Sequence, residues 1–197
     1  MSAAELLRTV ARALDAEGIP FMLTGSLAAA YHGAPRATMD VDLVVAPTAA
    51  SLQALVTALT SAHLHVSADA AREALAREGM FNAVDTTTGW KADLIVRKSR
   101  AFSQAEFERR VPVEFEGMRL WVATPEDTII AKLEWALLGG SARQIEDVTA
   151  LLRVAPDLDR GYLDRWIAEL GLAKQWRAAQ RLLSPTAPPP PPPPASP

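Results

Sequence analysis

The chain has 197 residues, of which 49% are hydrophobic and 22% charged, and its formal net charge is −3. These values are typical of one globular domain with room for a small appended lobe, and they give no overall attraction to nucleic acid or anionic membranes. The absence of cysteine excludes disulfides, thiolate metal sites and a cysteine nucleophile. No apolar run reaches the roughly 18 residues of a membrane helix, and Glu5 and Arg8 interrupt the apolar core that a signal peptide needs. We therefore predict a cytoplasmic protein without a membrane partner.

The N-terminal segment predicts a packing helix followed by a buried strand. Ser2 and Glu5 have the spacing of a capping box, and apolar residues follow at helical intervals until Gly18. Residues 21–24 are too short and too apolar for anything but a buried strand. We therefore expect the sheet to begin with this strand.

Gly25 and Ser26 open a short helix after that strand, and residues 40–45 form a second apolar strand. The unpaired N–H groups of a helix N-terminus carry partial positive charge, and glycine allows a phosphate to approach the backbone. Because strand side chains alternate, Asp40 and Asp42 share one face of the second strand. Two carboxylates so placed repel each other unless a cation lies between them. The segment therefore predicts an anion site beside a cation site.

The middle of the chain predicts two helices and a β-hairpin, and the hairpin carries the chemistry. On its second strand Lys91 and Asp93 alternate with apolar residues, so the ammonium and the carboxylate share one face. The predicted helices are 49–59 and 68–78, with a brief strand at 64–66 between them, and the hairpin strands are 80–85 and 90–96.

The rest of the chain predicts the end of the sheet and an all-helical lobe. Thr124 and Pro125 are a strong start for a helix that ends at Gly139. The other predicted elements are a helix at 102–109, a hairpin of strands 111–115 and 118–122 around Glu116 and Gly117, and helices that begin at Ser141, Asp159 and Leu172.

The predicted organisation is α/β (α+β) in three parts. Residues 1–123 form the domain with the sheet, and residues 124–183 form the helical C-terminal lobe. Residues 184–197 contain seven consecutive prolines, which predicts a disordered, extended proline-rich tail.

Three elements of the first half point to one chemistry. Asp40 and Asp42, joined by Asp93 from a neighbouring strand, supply the hard oxygen ligands that Mg²⁺ prefers, and Gly25-Ser26 supplies a phosphate site. Together they describe a two-metal centre for phosphoryl or nucleotidyl transfer. Taken singly, a Gly-Ser pair is usually a turn and cap, and an Asp-x-Asp pair is often a strand edge. The ordered combination is what indicates function.

The same residues resemble the signature of the DNA polymerase β-like nucleotidyltransferase superfamily. The motifs that carry the resemblance are Thr24-Gly25-Ser26, Asp40-Val41-Asp42-Leu43 and Asp93. Three further features make residues 1–155 similar to the AbiEii/MenT group of bacterial nucleotidyltransferase toxins: Lys91-Ala92-Asp93-Leu94, Pro35-Arg36-Ala37-Thr38, and Asp127 with Lys132. The resemblance implies a minimal nucleotidyltransferase fold, a mixed β-sheet flanked by helices with a helical C-terminal lobe, that uses Mg²⁺ and a nucleoside triphosphate.

By position, the resemblance also implies roles for individual residues. Gly25 and Ser26 would hold the terminal phosphates, and Asp40 and Asp42 would bind both metals. Asp93 would bind the metal that activates the acceptor hydroxyl.

Three cations are implied to neutralise the charge of the triphosphate, namely Lys91, Lys132 and Arg36. For Lys132, an exposed helix lysine is an equally good interpretation. The toxin group commonly has an arginine and an aspartate near the end of its last motif. Here Arg143 and Asp147 lie four residues apart on one helix, which is also the spacing of a surface ion pair.

The densest basic region is residues 97–100, with Arg109 and Arg110 nearby, directly after the strand that carries Asp93. It could receive an RNA acceptor, but short basic runs are usually solvated surface, and no aromatic stacking platform is evident beside it. All five tryptophans, including Trp135, Trp166 and Trp176 at helix positions, are interpreted as packing residues.

We therefore predict an Mg²⁺-dependent nucleotidyltransferase that moves a nucleoside monophosphate from a triphosphate to a tRNA 3′ end or a protein hydroxyl. The resemblance implies the toxin of a bacterial toxin–antitoxin pair, neutralised by a cognate antitoxin. The alternative is a module of the same fold that binds a nucleotide or a partner without transfer. The intact set of three carboxylates, Asp40, Asp42 and Asp93, favours the enzyme.

Overall fold

The computed structural model describes residues 1–115, 117–155 and 157–183, which form seven strands and nine helices. The fold is mixed α/β, as predicted, with a seven-stranded sheet and four helices after the last strand. The elements in chain order are α1 (Ala3–Ala16), β1 (Phe21–Thr24), α2 (Gly25–Tyr31), β2 (Asp40–Val45), α3 (Ala49–Ser61), β3 (His65–Val66), α4 (Ala68–Arg77), β4 (Met80–Val84), β5 (Lys91–Val96), α5 (Ala101–Glu108), β6 (Val111–Phe115), β7 (Met118–Val122), α6 (Pro125–Gly139), α7 (Ala142–Val154), α8 (Arg160–Glu169) and α9 (Ala173–Leu183).

The sheet has the strand order β3-β4-β5-β2-β1-β7-β6. The pairs β4–β5 and β6–β7 are antiparallel, which confirms both predicted hairpins, although the turn residue Glu116 lies outside the described residues. At the centre, β2 pairs antiparallel with β1 and parallel with β5. The strand that carries Asp40 and Asp42 is therefore the direct neighbour of the strand that carries Lys91 and Asp93.

The first hydrophobic core gives the two faces of β2 different environments. Helix α1 begins with the predicted capping box between Ser2 and Glu5, and its buried apolar stripe packs in the same core as Val41, Leu43 and Val45 of β2. Because strand side chains alternate, Asp40 and Asp42 point to the opposite face. That face lies below α5 and α6, which leave a cavity above it.

A second core lies among the helices that follow the sheet. It joins α6 to α9 and includes Ala29 of α2 and Phe102 of α5. Trp166 and Trp176 are buried in it, which confirms their predicted packing role. For Trp121 on β7 the same prediction is wrong, because its side chain is 41% exposed. None of the described helices combines the length and the apolar character needed to cross a membrane. The tail predicted at residues 184–197 lies outside the described residues.

Candidate active site

The predicted carboxylates and the predicted lysine meet on one face of the sheet because of the register between β2 and β5. In this parallel pair Asp42 lies opposite Asp93, and Asp40 lies opposite Lys91. On the other side of β2, Thr24 at the end of β1 lies opposite Asp42. The structure therefore brings together all four residues that the alternation pattern had placed on matching faces.

Lys91 is the cation between these carboxylates. Its Nζ lies 3.0 Å from Oδ2 of Asp93 and 3.5 Å from Oδ1 of Asp40. Burial alone lowers the pKa of Lys91, but the hydrogen bond and charge of Asp93, with those of Asp40, outweigh it and raise the pKa above its ordinary value. Asn82, opposite Asp93 on β4, donates a side-chain hydrogen bond to the same carboxylate. Asn82 was not among the predicted site residues, although the register of the predicted hairpin could have identified it.

Asp42 is held against the start of α2. Burial raises its pKa from 3.8 to about 6, with further increases from the charges of Asp93 and Asp40 and an opposing hydrogen bond from the Ser26 backbone N–H. Gly25 has a φ of +65°, and a Cβ at this position would overlap the Asp42 carboxylate. Glycine is therefore required here both for its backbone conformation and for the close approach of Asp42.

A second cluster of charge joins α6, α7 and the loop before β2. Oδ2 of Asp147 accepts hydrogen bonds from Nζ of Lys132 at 2.6 Å and from Nε of Arg36 at 2.9 Å. Lys132 is only 3% exposed, so its interpretation as an exposed helix lysine is wrong. The surface ion pair considered for Arg143 and Asp147 is also not formed, because Asp147 faces Lys132 while Arg143 donates to the backbone carbonyl of Ala37.

Residues of both clusters, among them Asp93 and Lys132, line one cavity of about 340 Å³ between the sheet and α6. Its floor is the face of β2 and β5 that carries Asp42 and Asp93, and it continues along the strands to Val44 and Ile95. Lys132 lies on its wall, and burial is the main reason that the pKa of this lysine is below its ordinary value, partly offset by Asp147. The arrangement places carboxylates, cations and an apolar floor within one enclosed space.

Trp135 contradicts its predicted role in packing. It lies three residues after Lys132 on α6, lines the same cavity and is 49% exposed. Leu138 on the next turn and Met80 at the start of β4 also line the cavity and are exposed. The helical spacing from Lys132 was the signal that could have placed Trp135 here. An aromatic platform thus exists beside the site where none was evident from the sequence.

The predicted basic region is divided by the fold. Arg97 and Lys98 line the cavity. Arg100 lines it too, but its guanidinium donates two hydrogen bonds, at 2.5 and 2.6 Å, to the carboxylate of Glu134 on α6. Arg110 stacks instead over the ring of Phe107, away from the carboxylates. The cationic surface at the cavity is therefore smaller than the sequence suggested.

Arg109 belongs to a buried network that joins α5, α6 and α8. Its guanidinium lies 3.3 Å from Asp127 and 3.9 Å from the centre of the Tyr162 ring. The Tyr162 hydroxyl donates to Asp127 at 2.6 Å, and Asp127 is fully buried. Asp127, one of the residues that carried the resemblance, therefore fixes the packing of these helices.

The carboxylates fit a divalent metal by their chemistry. Asp40, Asp42 and Asp93 supply hard oxygen donors on adjacent strands. As they stand, no three acidic or histidine side chains within the described ranges converge closely enough to enclose an ion. The ammonium of Lys91 contacts Asp40 and Asp93, so a metal would compete with it for these oxygens. The three carboxylates are suitable ligands for a divalent metal, and a bound metal would displace the ammonium of Lys91 from Asp40 and Asp93.

The chain was compared with known families and structures. The family model described as "Nucleotidyl transferase AbiEii toxin, Type IV TA system" matches residues 6–195. No curated protein matches the chain. Among solved structures, the antibiotic-resistance factor ANT(2″)-Ia has a TM-score of 0.60 at 13% identity, over 91% of this chain and 95% of that chain.

Two further structures are similar. An antigenic nucleotidyltransferase-like protein from Paracoccidioides brasiliensis has a TM-score of 0.52 at 19% identity, over 90% of this chain and 91% of that chain. The lincosamide antibiotic adenylyltransferase LnuA, solved with lincomycin, has a TM-score of 0.51 at 11% identity, over 79% of this chain and 99% of that chain. At such identities these likenesses establish a shared nucleotidyltransferase fold.

Proposed function

The chain belongs to the AbiEii family of nucleotidyltransferase toxins, and from this premise we propose that it transfers a nucleoside monophosphate from a nucleoside triphosphate to an acceptor hydroxyl in an Mg²⁺-dependent reaction. The observation that carries the proposal is the adjacency of Asp42 and Asp93 in register, facing a cavity whose wall holds Lys132. Carboxylates bind the metal ion, and buried cations offset the negative charge of the triphosphate. The two together therefore suit a metal-bound triphosphate.

The residues divide the work along the cavity. Asp40, Asp42 and Asp93 would hold Mg²⁺, which when bound lowers the pKa of the acceptor hydroxyl and neutralises charge on the phosphates. Asn82 orients the Asp93 carboxylate. The ammonium of Lys91, which contacts Asp93 in the metal-free protein, would be displaced from it by Mg²⁺. In the transfer, the acceptor hydroxyl gives up its proton to solvent, and a bond forms between its oxygen and the α-phosphorus while the bond from that phosphorus to the leaving pyrophosphate breaks.

The triphosphate is assigned to the end of the cavity between α2 and α6. Lys132 and Arg36 provide two cations held in place by Asp147, and Gly25 and Ser26 open the neighbouring helix α2. Asp147 is thus a positioning residue, because it acts through the cations that it holds.

The mouth of the cavity favours RNA over protein as the acceptor. Trp135 presents a half-exposed aromatic ring, and Arg97 and Lys98 lie on the same cavity. An unpaired base stacks on an aromatic side chain while neighbouring cations contact its phosphates. A tRNA 3′ end is therefore the first acceptor to test, and a protein hydroxyl is the second.

Transfer is tested with four nucleoside triphosphates labelled at the α-phosphate, each incubated with the protein, Mg²⁺ and either bulk tRNA or a protein extract. Wild-type protein is expected to label the RNA. Asp93→Asn should abolish labelling, whereas Asp69→Asn, an exposed aspartate on α4, should not. If the label stays in free nucleotide in every incubation with folded wild-type protein, transfer is refuted. The alternative, a module that binds a nucleotide or a partner without transfer, then remains.

The toxin role is tested in cells. Induction of the wild-type chain is expected to arrest bacterial growth. Induction of Asp93→Asn should not, because this variant lacks a carboxylate that the transfer reaction requires. Co-expression of the product of a neighbouring reading frame should relieve the arrest if that product is the cognate antitoxin. Equal arrest by the wild type and the variant would contradict a toxic transfer reaction.

A further inference from the structure

The cavity extends past the carboxylates to an end that the transfer chemistry does not use. Two residues beyond Asp42 and Asp93, the floor consists of Val44 and Ile95. Two residues of a strand span about 7 Å, roughly the distance from an α-phosphate to a nucleobase. Phe107 of α5 packs against Val44, which sets α5 over this end.

Two polar residues of α5, Ser103 and Glu106, close this end of the cavity. They line it and are 3% and 7% exposed, respectively. Ser103 accepts a hydrogen bond from Nε of Arg100 at 3.0 Å, and its hydroxyl lowers the pKa of Glu106 slightly against the effect of burial. A carboxyl group can make several hydrogen bonds, so Glu106 retains capacity for another polar partner.

No ion pair accounts for the burial of Glu106. Arg100, whose charge lowers the pKa of Glu106, is already committed to Glu134, and within the described residues no lysine or arginine forms an ion pair with Glu106. Burial raises the pKa of Glu106 to about 8, with a further increase from Asp127 that outweighs the opposing effect of Arg100. At neutral pH the group is mainly a carboxylic acid, which offers one hydrogen-bond donor and one acceptor.

We propose that Val44, Ile95, Ser103 and Glu106 form the base-recognition end of the donor site, where Glu106 hydrogen-bonds to the edge of the nucleobase and determines which triphosphate is used. The inference rests on the proposed function, because it takes the nucleoside triphosphate as the ligand. An apolar floor suits the flat face of a base, and a few buried polar groups suit its edge. The geometry thus assigns the choice of nucleotide to α5.

Glu106 is tested by measuring kcat/KM for ATP, GTP, CTP and UTP. Wild-type protein is expected to prefer one or two of them. Glu106→Ala should lower kcat/KM for the preferred triphosphate by about 10- to 100-fold and the others much less, because a site built for a hydrogen bond discriminates strongly. Glu106→Gln, which keeps a neutral donor and acceptor, should retain more of the preference than Glu106→Ala. Glu108→Ala, on the exposed side of the same helix, is the matched control and should change nothing.

Binding separates this inference from the transfer proposal. Thermal shift with each triphosphate and Mg²⁺ reports base preference without turnover, and Ser103→Ala provides a second variant should Glu106→Ala fold poorly. If the wild type binds with a base preference that Glu106→Ala loses, but transfers nothing, the base site stands and the transfer proposal fails. Equal use and binding of the four triphosphates by the wild type, or an unchanged ranking in folded Glu106→Ala, would overturn the inference.

Discussion

Replacing Asp42 by asparagine should stabilise the metal-free protein, by an amount that depends on pH. The carboxyl has a folded-state pKa of about 6, against an ordinary value of 3.8. At about 1.4 kcal/mol per pKa unit, ionised Asp42 costs the folded state about 3 kcal/mol. The cost arises because burial disfavours the charge and because Asp93 and Asp40 are nearby and also negative.

The sign of the pH dependence follows from proton binding. Between about pH 4 and pH 6 the folded protein holds a proton on Asp42 that the unfolded chain has released, so this group's contribution to stability falls as pH rises. The loss is small near pH 4 and complete above about pH 7. The stability difference between Asp42→Asn and wild type should therefore grow from near zero to about 3 kcal/mol across this range.

Urea denaturation in EDTA at about pH 4, 6 and 8 measures this difference, and subtracting the wild-type stability from that of the variant cancels the contributions of carboxylates that do not interact with Asp42. Asparagine can still accept the hydrogen bond of the Ser26 backbone N–H, so the substitution removes charge while conserving shape. Added Mg²⁺ should stabilise the wild type but not the variant. If the difference in free energy of unfolding does not change with pH, or if the variant is less stable than wild type at pH 8, the charge of Asp42 does not destabilise the folded protein.

Three further substitutions test other parts of the site. Asp147→Asn should raise KM for the triphosphate about 10-fold, because it loosens the two cations that Asp147 holds, and should also destabilise the fold, because buried Lys132 loses its carboxylate partner; steady-state kinetics on the folded variant measures KM, and an unchanged KM contradicts the positioning role. Gly25→Ala should destabilise the fold by about 1–3 kcal/mol and abolish transfer. Gly89→Ala, also at positive φ but in open space, should cost only about 1 kcal/mol and leave transfer intact. Equal losses of stability for the two variants in denaturation would count against the close approach of Asp42 to Gly25. Trp135→Ala should change the free energy of unfolding by no more than about 0.5 kcal/mol and lower the use of an RNA acceptor without changing KM for the triphosphate. Buried Trp166→Ala should instead cost about 3–5 kcal/mol of stability. A Trp135→Ala variant that labels RNA as well as wild type does would exclude the stacking role.

The centre of the site was predictable because its geometry follows from local periodicity. Asp40 and Asp42 alternate with buried valine and leucine, and Lys91 and Asp93 alternate in the same way. Once β2 and β5 are neighbours in one sheet, matching faces bring these residues together. To bring these residues together, the only further information needed was that β2 pairs with β5. The order of the motifs along the chain favoured that pairing.

The helical side of the site was not predictable because it depends on which face of each helix meets the sheet. Lys132 is buried and Trp135 is exposed, although lysine is usually exposed and tryptophan usually packs. Asp147 is paired across helices rather than within α7. Arg109 follows Glu106 at helical spacing in the sequence but pairs with Glu126 and Asp127 instead. Each of these outcomes results from how α5, α6 and α7 dock, which helical periodicity does not determine.

The central claim is that Asp40, Asp42 and Asp93, together with the cations beside them, form a centre for nucleotidyl transfer. The most direct measurement is the ratio of pyrophosphate released to nucleoside monophosphate incorporated into the acceptor, for wild type and for Asp93→Asn. The account predicts one pyrophosphate per nucleotide transferred, a requirement for Mg²⁺, and loss of both products in the variant. Triphosphate turnover without incorporation, or undiminished incorporation by folded Asp93→Asn, would contradict it.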